Sequence, residues 1–141
     1  MAMEVSVNYW AVLVAAIANM VLGFVWYGPV FGKIWMQTCG FDKLSKKELS
    51  AMKEKGKKSM WIAAAGALVI GYVMSHFVDY VGATTVVAGM QLGFWLWLGF
   101  IAPITIGMVL WEGKPWKLYF IIAGYWLVSM LVMGSILALW Q

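Results

Sequence analysis

Four long apolar stretches constrain the fold of this chain more than any other feature. They cover residues 7–28, 60–80, 86–111 and 118–140, and none of them contains a lysine. A transmembrane α-helix needs about 20 consecutive apolar residues, so each stretch is long enough to cross a bilayer. The chain is 64% hydrophobic and 11% charged, against about 25% charged in ordinary soluble domains. We therefore predict an all-α fold, a four-transmembrane-helix bundle that forms a single membrane domain over residues 1–141.

The positions of the lysines predict the orientation in the membrane. Eight of the ten lysines lie in residues 29–59, a basic linker between the first two stretches, and Lys114 and Lys117 lie between the last two. Short basic loops stay on the cytoplasmic side. The sequence therefore predicts a multi-pass protein of the inner (plasma) membrane with both termini outside. The linker lysines predict either a solvated surface or contact with anionic lipid headgroups, and we expect no nucleic-acid partner.

The segment GFVWYGPVFGKIWMQ ends the first apolar stretch. Trp26 and Tyr27 are typical of the aromatic belt at a membrane interface. A proline disfavours helical geometry in the residue before it and suits the first position of a new helix. We therefore predict that Gly28 and Pro29 end the first span and that Pro29 opens a short interfacial helix carrying Lys33. Two interpretations stay open, an interfacial anchor and a loop that shapes a cytoplasmic entrance.

A capping box predicts a second helix in the basic linker. Ser45 can accept a hydrogen bond from the backbone N–H of Glu48, whose side chain can reach back. Apolar residues then recur at spacings of three or four as far as Met60. We expect this helix to run into the second span, with a bend at Gly56.

The third span and the turn after it carry the remaining cytoplasmic candidates. Pro103 lies inside the third span and cannot donate to the backbone four residues earlier, which predicts a kink. Glu112 follows that span, with Lys114 and Lys117 as nearby partners. An ion pair between Glu112 and Lys33 across the bundle is the alternative. Together with Trp26, Tyr27 and Pro29, these residues form a candidate cytoplasmic motif.

Five polar residues in or near the spans are candidates for a site. Asn19 lies at mid-membrane in a stripe of small residues, where an amide usually bonds a neighbouring helix. His76 and Asp79 share a helix face near the outer membrane surface, and Asn8 and Gln91 lie at a similar level. Ionisable groups at such depth are functional candidates by default. We expect His76 to lie within about 6 Å of a polar side chain of another helix, Asn8 or Gln91, because a buried imidazole needs a partner. This contact is either part of a ligand or proton site or purely structural. The alternative is that His76 bonds only Asp79 or a backbone carbonyl.

The residue inventory excludes several kinds of chemistry. Cys39 and His76 are the only cysteine and the only histidine, so a zinc site of the usual cysteine and histidine type is excluded. No activated nucleophile or cofactor motif is recognisable. We therefore predict neither a metal nor a cofactor.

Four motifs spread over the chain resemble those of a known family. The chain carries Asn8-Tyr9 with Ala11-Val12, Trp26-Tyr27-Gly28-Pro29 with Phe31-Gly32-Lys33 and Trp35, Trp97-Leu98-Gly99-Phe100, and Glu112-Gly113-Lys114-Pro115. In these motifs it resembles the family named domain of unknown function 1761, whose members are small bacterial membrane proteins with four predicted spans. The resemblance implies a bacterial membrane protein with four spans, and it implies no activity.

Three functions are compatible with these features. The first is a non-enzymatic oligomeric or accessory membrane component, most simply a homo-oligomer held by glycine-rich faces such as that of Gly89 and Gly93. The second is a small oligomeric transporter or channel with a polar site near the outer membrane face. The third, ranked last, is an enzyme in which His76 and Asp79 transfer a proton. A cavity shared by His76, Asp79 and Gln91 would favour the second or third, and a dry, closed bundle the first.

Overall fold

The computed structural model describes residues 5–141, and the first four residues of the predicted outer tail lie outside the described part. The described chain is helical and contains no strand, which confirms the all-α class. Its α-helices are α1 (Tyr9–Val25), α2 (Gly32–Thr38), α3 (Lys46–Val81), α4 (Val86–Phe100), α5 (Ala102–Thr105), α6 (Gly107–Leu110) and α7 (Trp116–Leu139). Four helical segments are long and apolar enough to cross a membrane: Tyr9–Val30, Lys46–Val81, Val86–Leu110 and Trp116–Leu139.

Helix α7 is the most buried of the four long segments. In its most apolar window 44% of the residues are buried, against 17% in the segment that begins with α4. The most extensive helix pair is α4 with α7, and α1 packs on both α3 and α7. Met133 and Ser129 of α7 are fully buried. The other long helices are therefore arranged around α7.

Glycine allows α4 and α7 to approach closely. A Cβ atom added at Gly89 would collide with the backbone of Gly134, and one at Gly93 would collide with the carbonyl of Met130. Only residues without a Cβ permit this separation, as in other close membrane helix pairs. The glycine face that predicted self-association is thus used inside the chain.

The chain leaves α1 through a π-helical turn, Trp26–Val30, and not through a new helix opened by Pro29. The Phe31 N–H donates to the Trp26 carbonyl at 2.8 Å, five residues back. A π turn widens the helix by one residue, which accommodates a proline that has no N–H of its own. The predicted start of the interfacial helix at Pro29 is therefore wrong, because α2 begins at Gly32.

Helix α3 begins where the capping box predicts and runs without a break into the second span. Ser45 is its N-cap and accepts from the Glu48 N–H at 3.2 Å. The helix is continuous through Gly56 and ends at Gly82, a left-handed cap with φ 69°. Residues 29–59, the predicted linker, are therefore largely helical, since they contain α2 and the first turns of α3.

The third span is interrupted as Pro103 predicts. Helix α4 ends at Phe100, α5 begins at Ala102, and Ile101 between them has a non-ideal backbone (φ −113°, ψ −56°). The turn into α7 uses Gly113 at φ 70°.

Hereafter, the lysine-rich end is the end of the molecule where α1 ends and α7 begins, together with α2 and the first turns of α3.

Candidate functional site

Asn19 is part of a buried hydrogen-bonded cluster between α1 and α7. Its side-chain N–H donates to the Ser129 hydroxyl, and the Tyr125 hydroxyl donates to the Asn19 backbone carbonyl at 2.9 Å. Asn19 is 4% exposed and Ser129 is fully buried. The mid-membrane amide therefore bonds a neighbouring helix, as its position predicts, and joins α1 to α7.

Aromatic side chains make further hydrogen bonds to helix backbones. Trp26 Nε1 donates to the Ile121 carbonyl at 2.9 Å, and Trp97 Nε1 donates to the Ala123 carbonyl at 2.8 Å. A carbonyl has two lone pairs and can accept a side chain besides its helical partner. Within residues 5–141, no buried side-chain nitrogen or oxygen lacks a partner. Each of these buried side-chain polar atoms thus has at least one partner, and several of the bonds join two helices.

The outer polar candidates are not joined to one another by hydrogen bonds in the described part of the chain. His76 Nδ1 lies 2.9 Å from the Tyr72 carbonyl on its own helix. Asp79 and Gln91 are exposed. Asn8 caps α1 through its side-chain oxygen and lies 3.4 Å from the Trp140 carbonyl. His76 therefore bonds a backbone carbonyl, which is the alternative given in the sequence analysis.

A groove opens at the lysine-rich end between α1, α2, α3 and α7. Its volume is about 570 Å³, within the usual range of ligand pockets. Its lining comprises Met20, Gly23, Phe24, Tyr27, Trp35, Gly56, Ser59, Met60, Ala63, Ile122 and Tyr125. We call it the Tyr27 groove.

Trp26 and Tyr27, the two belt aromatics of the motif, lie in the π turn and contact different neighbours. Trp26 donates to α7, whereas the next residue, Tyr27, lines the groove. The ring centroid of Tyr27 lies 5.4 Å from those of both Trp35 and Tyr125. These separations are typical of favourable aromatic pairs. The motif therefore builds the wall of the Tyr27 groove.

The charged residues of the lysine-rich end remain largely unpaired. Across the described residues, the only salt bridge joins Lys57 to Glu54 at 3.3 Å. In the described chain Glu112 therefore forms no ion pair with Lys114 or Lys117, the local partners considered, or with Lys33, the alternative. Burial raises the pKa of the Cys39 thiol, and the charge of nearby Lys114 opposes that shift. Helix α2 itself packs against α7.

A second groove lies between α3 and α4, which scarcely touch. It holds about 380 Å³ and is lined by apolar side chains, including Phe77, Phe100 and Met130. No polar side chain lines it. It has no group that could orient a ligand, and the described residues contain no cluster of three or more metal-ligating side chains.

Sequence reasoning missed Tyr125 and Ser129. Tyr125 lies well inside the fourth span, deeper than an aromatic belt residue, and a buried tyrosine usually needs a hydrogen-bond partner. The depth of Tyr125 in the span could therefore have identified it from the sequence as a buried, hydrogen-bonded residue. Ser129 follows Tyr125 by four residues and therefore shares its helix face toward Asn19.

Comparison with known proteins gives a family and no function. The model of the family described as "Protein of unknown function (DUF1761)" matches residues 10–138. No curated protein matches the chain significantly, and neither does any solved structure.

Proposed function

The chain belongs to the DUF1761 family, whose function is unknown, and we propose from its own geometry that it is a non-enzymatic accessory component of a membrane. One observation carries the proposal: in residues 5–141 every buried side-chain polar atom already has a hydrogen-bond partner. Catalytic and transport sites present polar side chains to a pocket or a water-filled cavity. In the described interior, the buried polar side chains form hydrogen bonds within the protein and hold the helices together.

The outer polar residues support the same proposal. His76 bonds its own helix, and its ring lies between Tyr72 and Tyr80, with centroids at 4.7 and 6.1 Å. Polar residues of transport pathways face a bundle interior or a water-filled cavity. The transporter or channel alternative therefore has the weaker support.

Flux measurements distinguish the proposal from that alternative. The purified protein is reconstituted in liposomes of phosphatidylglycerol and phosphatidylethanolamine, and proton and potassium gradients are imposed. We expect the flux to equal that of protein-free liposomes. A higher flux would contradict the proposal, and its loss in His76→Ala would assign it to the outer polar residues.

We further propose that the membrane is a bacterial inner membrane, with the lysine-rich end in the cytoplasm and both termini outside. The lysine distribution supports this orientation. Cys39, the single thiol, lies at the lysine-rich end and reports on it. We expect a membrane-impermeant maleimide to label Cys39 only after the membrane is opened. Because burial raises the thiol pKa, labelling is expected to quicken with rising pH. Labelling in sealed cells would contradict the orientation.

We also propose that the protein forms a homo-oligomer, through glycines other than the pair that predicted it. Gly89 and Gly93 pack inside the chain. Gly66 of α3 remains a small residue on an open face, since an added Cβ there would meet nothing within 4 Å. Native mass spectrometry in a mild detergent tests the proposal, and a lone chain would contradict it.

A further inference from the structure

We propose that the Tyr27 groove binds one acyl chain of an anionic phospholipid, whose headgroup lies against Lys53 and Lys55. The inference goes beyond the proposed function. It rests on the proposed membrane placement, with the lysine-rich end at a membrane surface. It assigns a specific occupant to a groove that combines apolar walls, hydroxyl groups and adjacent lysines without an ion-pair partner in the described chain.

The groove walls suit a hydrocarbon chain. Met20 and Phe24 of α1, Ile122 of α7, and Met60 and Ala63 of α3 supply apolar surface. Each methylene removed from water contributes about 0.8 kcal/mol. Inside a membrane that gain is absent, because lipid tails are already surrounded by hydrocarbon. The shape of the groove and polar contacts at its mouth must therefore favour a bound lipid over the lipids of the surrounding bilayer.

The groove runs along two helices. From Gly56 to Ala63 it follows α3 for about 10 Å, at a rise of about 1.5 Å per residue. Its opposite wall runs from Met20 to Tyr27 of the first helical segment. An extended hydrocarbon chain can lie along such a groove, because it has no polar groups that need partners there.

Hydroxyl groups stand toward the mouth of the groove. Tyr27 lines the groove, and its hydroxyl makes no hydrogen bond to another residue of the described chain. The Ser59 hydroxyl bonds the Lys55 carbonyl at 3.0 Å and keeps lone pairs for a further donor. Tyr27 can therefore donate to an ester or phosphate oxygen at this level.

The charge beside the groove favours an anionic headgroup. Lys53 precedes Gly56 by three residues, and Lys55 precedes Ser59 by four, so each lies one turn beyond the groove on α3. Both lysines are exposed. The only salt bridge among the described residues uses Lys57, which leaves Lys53 and Lys55 free for a phosphate. Each lysine near an anionic surface adds to lipid binding.

Native mass spectrometry with two lipids tests the proposal. The detergent-purified full chain is titrated with equal amounts of dioleoyl phosphatidylglycerol and dioleoyl phosphatidylcholine. We expect one phosphatidylglycerol to be retained per chain, with about tenfold preference over phosphatidylcholine. Equal retention of the two lipids would overturn the assignment of an anionic occupant.

Matched glycine substitutions locate the binding site. Gly56→Leu fills the groove, whereas Gly99→Leu adds the same side chain to α4 away from the groove, and an added Cβ meets nothing within 4 Å at either position. We expect retention to fall at least tenfold in Gly56→Leu and to stay unchanged in Gly99→Leu. Ala63→Leu, at an exposed groove position, is a second filling variant if Gly56→Leu fails to fold. Full retention in a folded filling variant would overturn the site.

Matched lysine substitutions test the headgroup contact. The double variant Lys53→Gln, Lys55→Gln is expected to lose most of the lipid preference, whereas Lys46→Gln, Lys47→Gln changes the charge equally and is expected to keep it. An unchanged preference in the first pair would overturn the headgroup assignment. Failure of the lipid site and failure of the proposed function are distinguishable, because the flux measurement does not depend on retention of one lipid.

Discussion

Replacing Gly89 by Leu is expected to separate α4 from α7 and to destabilise the protein by about 3 kcal/mol or more. An added Cβ would collide with the Gly134 backbone, which cannot rotate away as a side chain can. The α4 and α7 pair is the most extensive contact between helices in the structure. We therefore expect a large loss of stability, measured as a lower unfolding midpoint in a mild detergent.

Gly99→Leu is the matched control on the same helix. An added Cβ at Gly99 meets nothing within 4 Å, so the substitution gains the helix propensity of leucine without a clash. We expect its midpoint to equal or exceed that of the unsubstituted protein. Equal midpoints for Gly89→Leu and Gly99→Leu would contradict the close approach of α4 and α7.

Asn19→Leu is expected to destabilise the protein by about 1 kcal/mol, whereas His76→Leu is expected to have little effect. The first change removes a buried hydrogen bond between α1 and α7, and such bonds in membranes contribute about 0.6 kcal/mol on average and about 1.7 kcal/mol at most. The second removes only a bond to the backbone of the same helix. Unfolding in a graded mixture of mild detergent and SDS measures both.

The opposite order of these two effects would contradict the structural role given to Asn19. Ser129→Ala offers a further check, because it removes the same hydrogen bond from the partner side. In a double-mutant cycle, the effects of Asn19→Ala and Ser129→Ala are expected to be less than additive, since each single change already breaks the bond.

The main elements of the fold followed from the sequence because each had a local signal. Apolar runs longer than about 20 residues predict spans wherever they occur. Ser45 with Glu48 predicted the start of α3, since a capping box acts within one turn. The π turn had no such signal, because proline is equally compatible with a new helix and with a widened turn. Pro29 therefore gave the wrong helix start.

The candidate site was harder to predict because it depends on how helices are rotated about their axes. The bond of Asn19 to a neighbouring helix followed from its position, since an amide at mid-membrane needs a partner, but its depth alone does not identify Ser129. His76, Asp79 and Gln91 share a level in the predicted membrane. A common level does not imply a common direction, and the structure leaves Asp79 and Gln91 exposed.

The central claim is that the interior is closed and that its polar groups hold the helices together. The most direct test is the accessibility of a thiol placed at position 129. Ser129 is fully buried, and cysteine is its nearest replacement in size. In the double variant Ser129→Cys, Cys39→Ser, we expect no reaction with a small membrane-permeant maleimide in the native membrane and rapid reaction after denaturation in SDS. Rapid reaction in the native membrane would reveal a water path to the middle of the protein and would contradict the account.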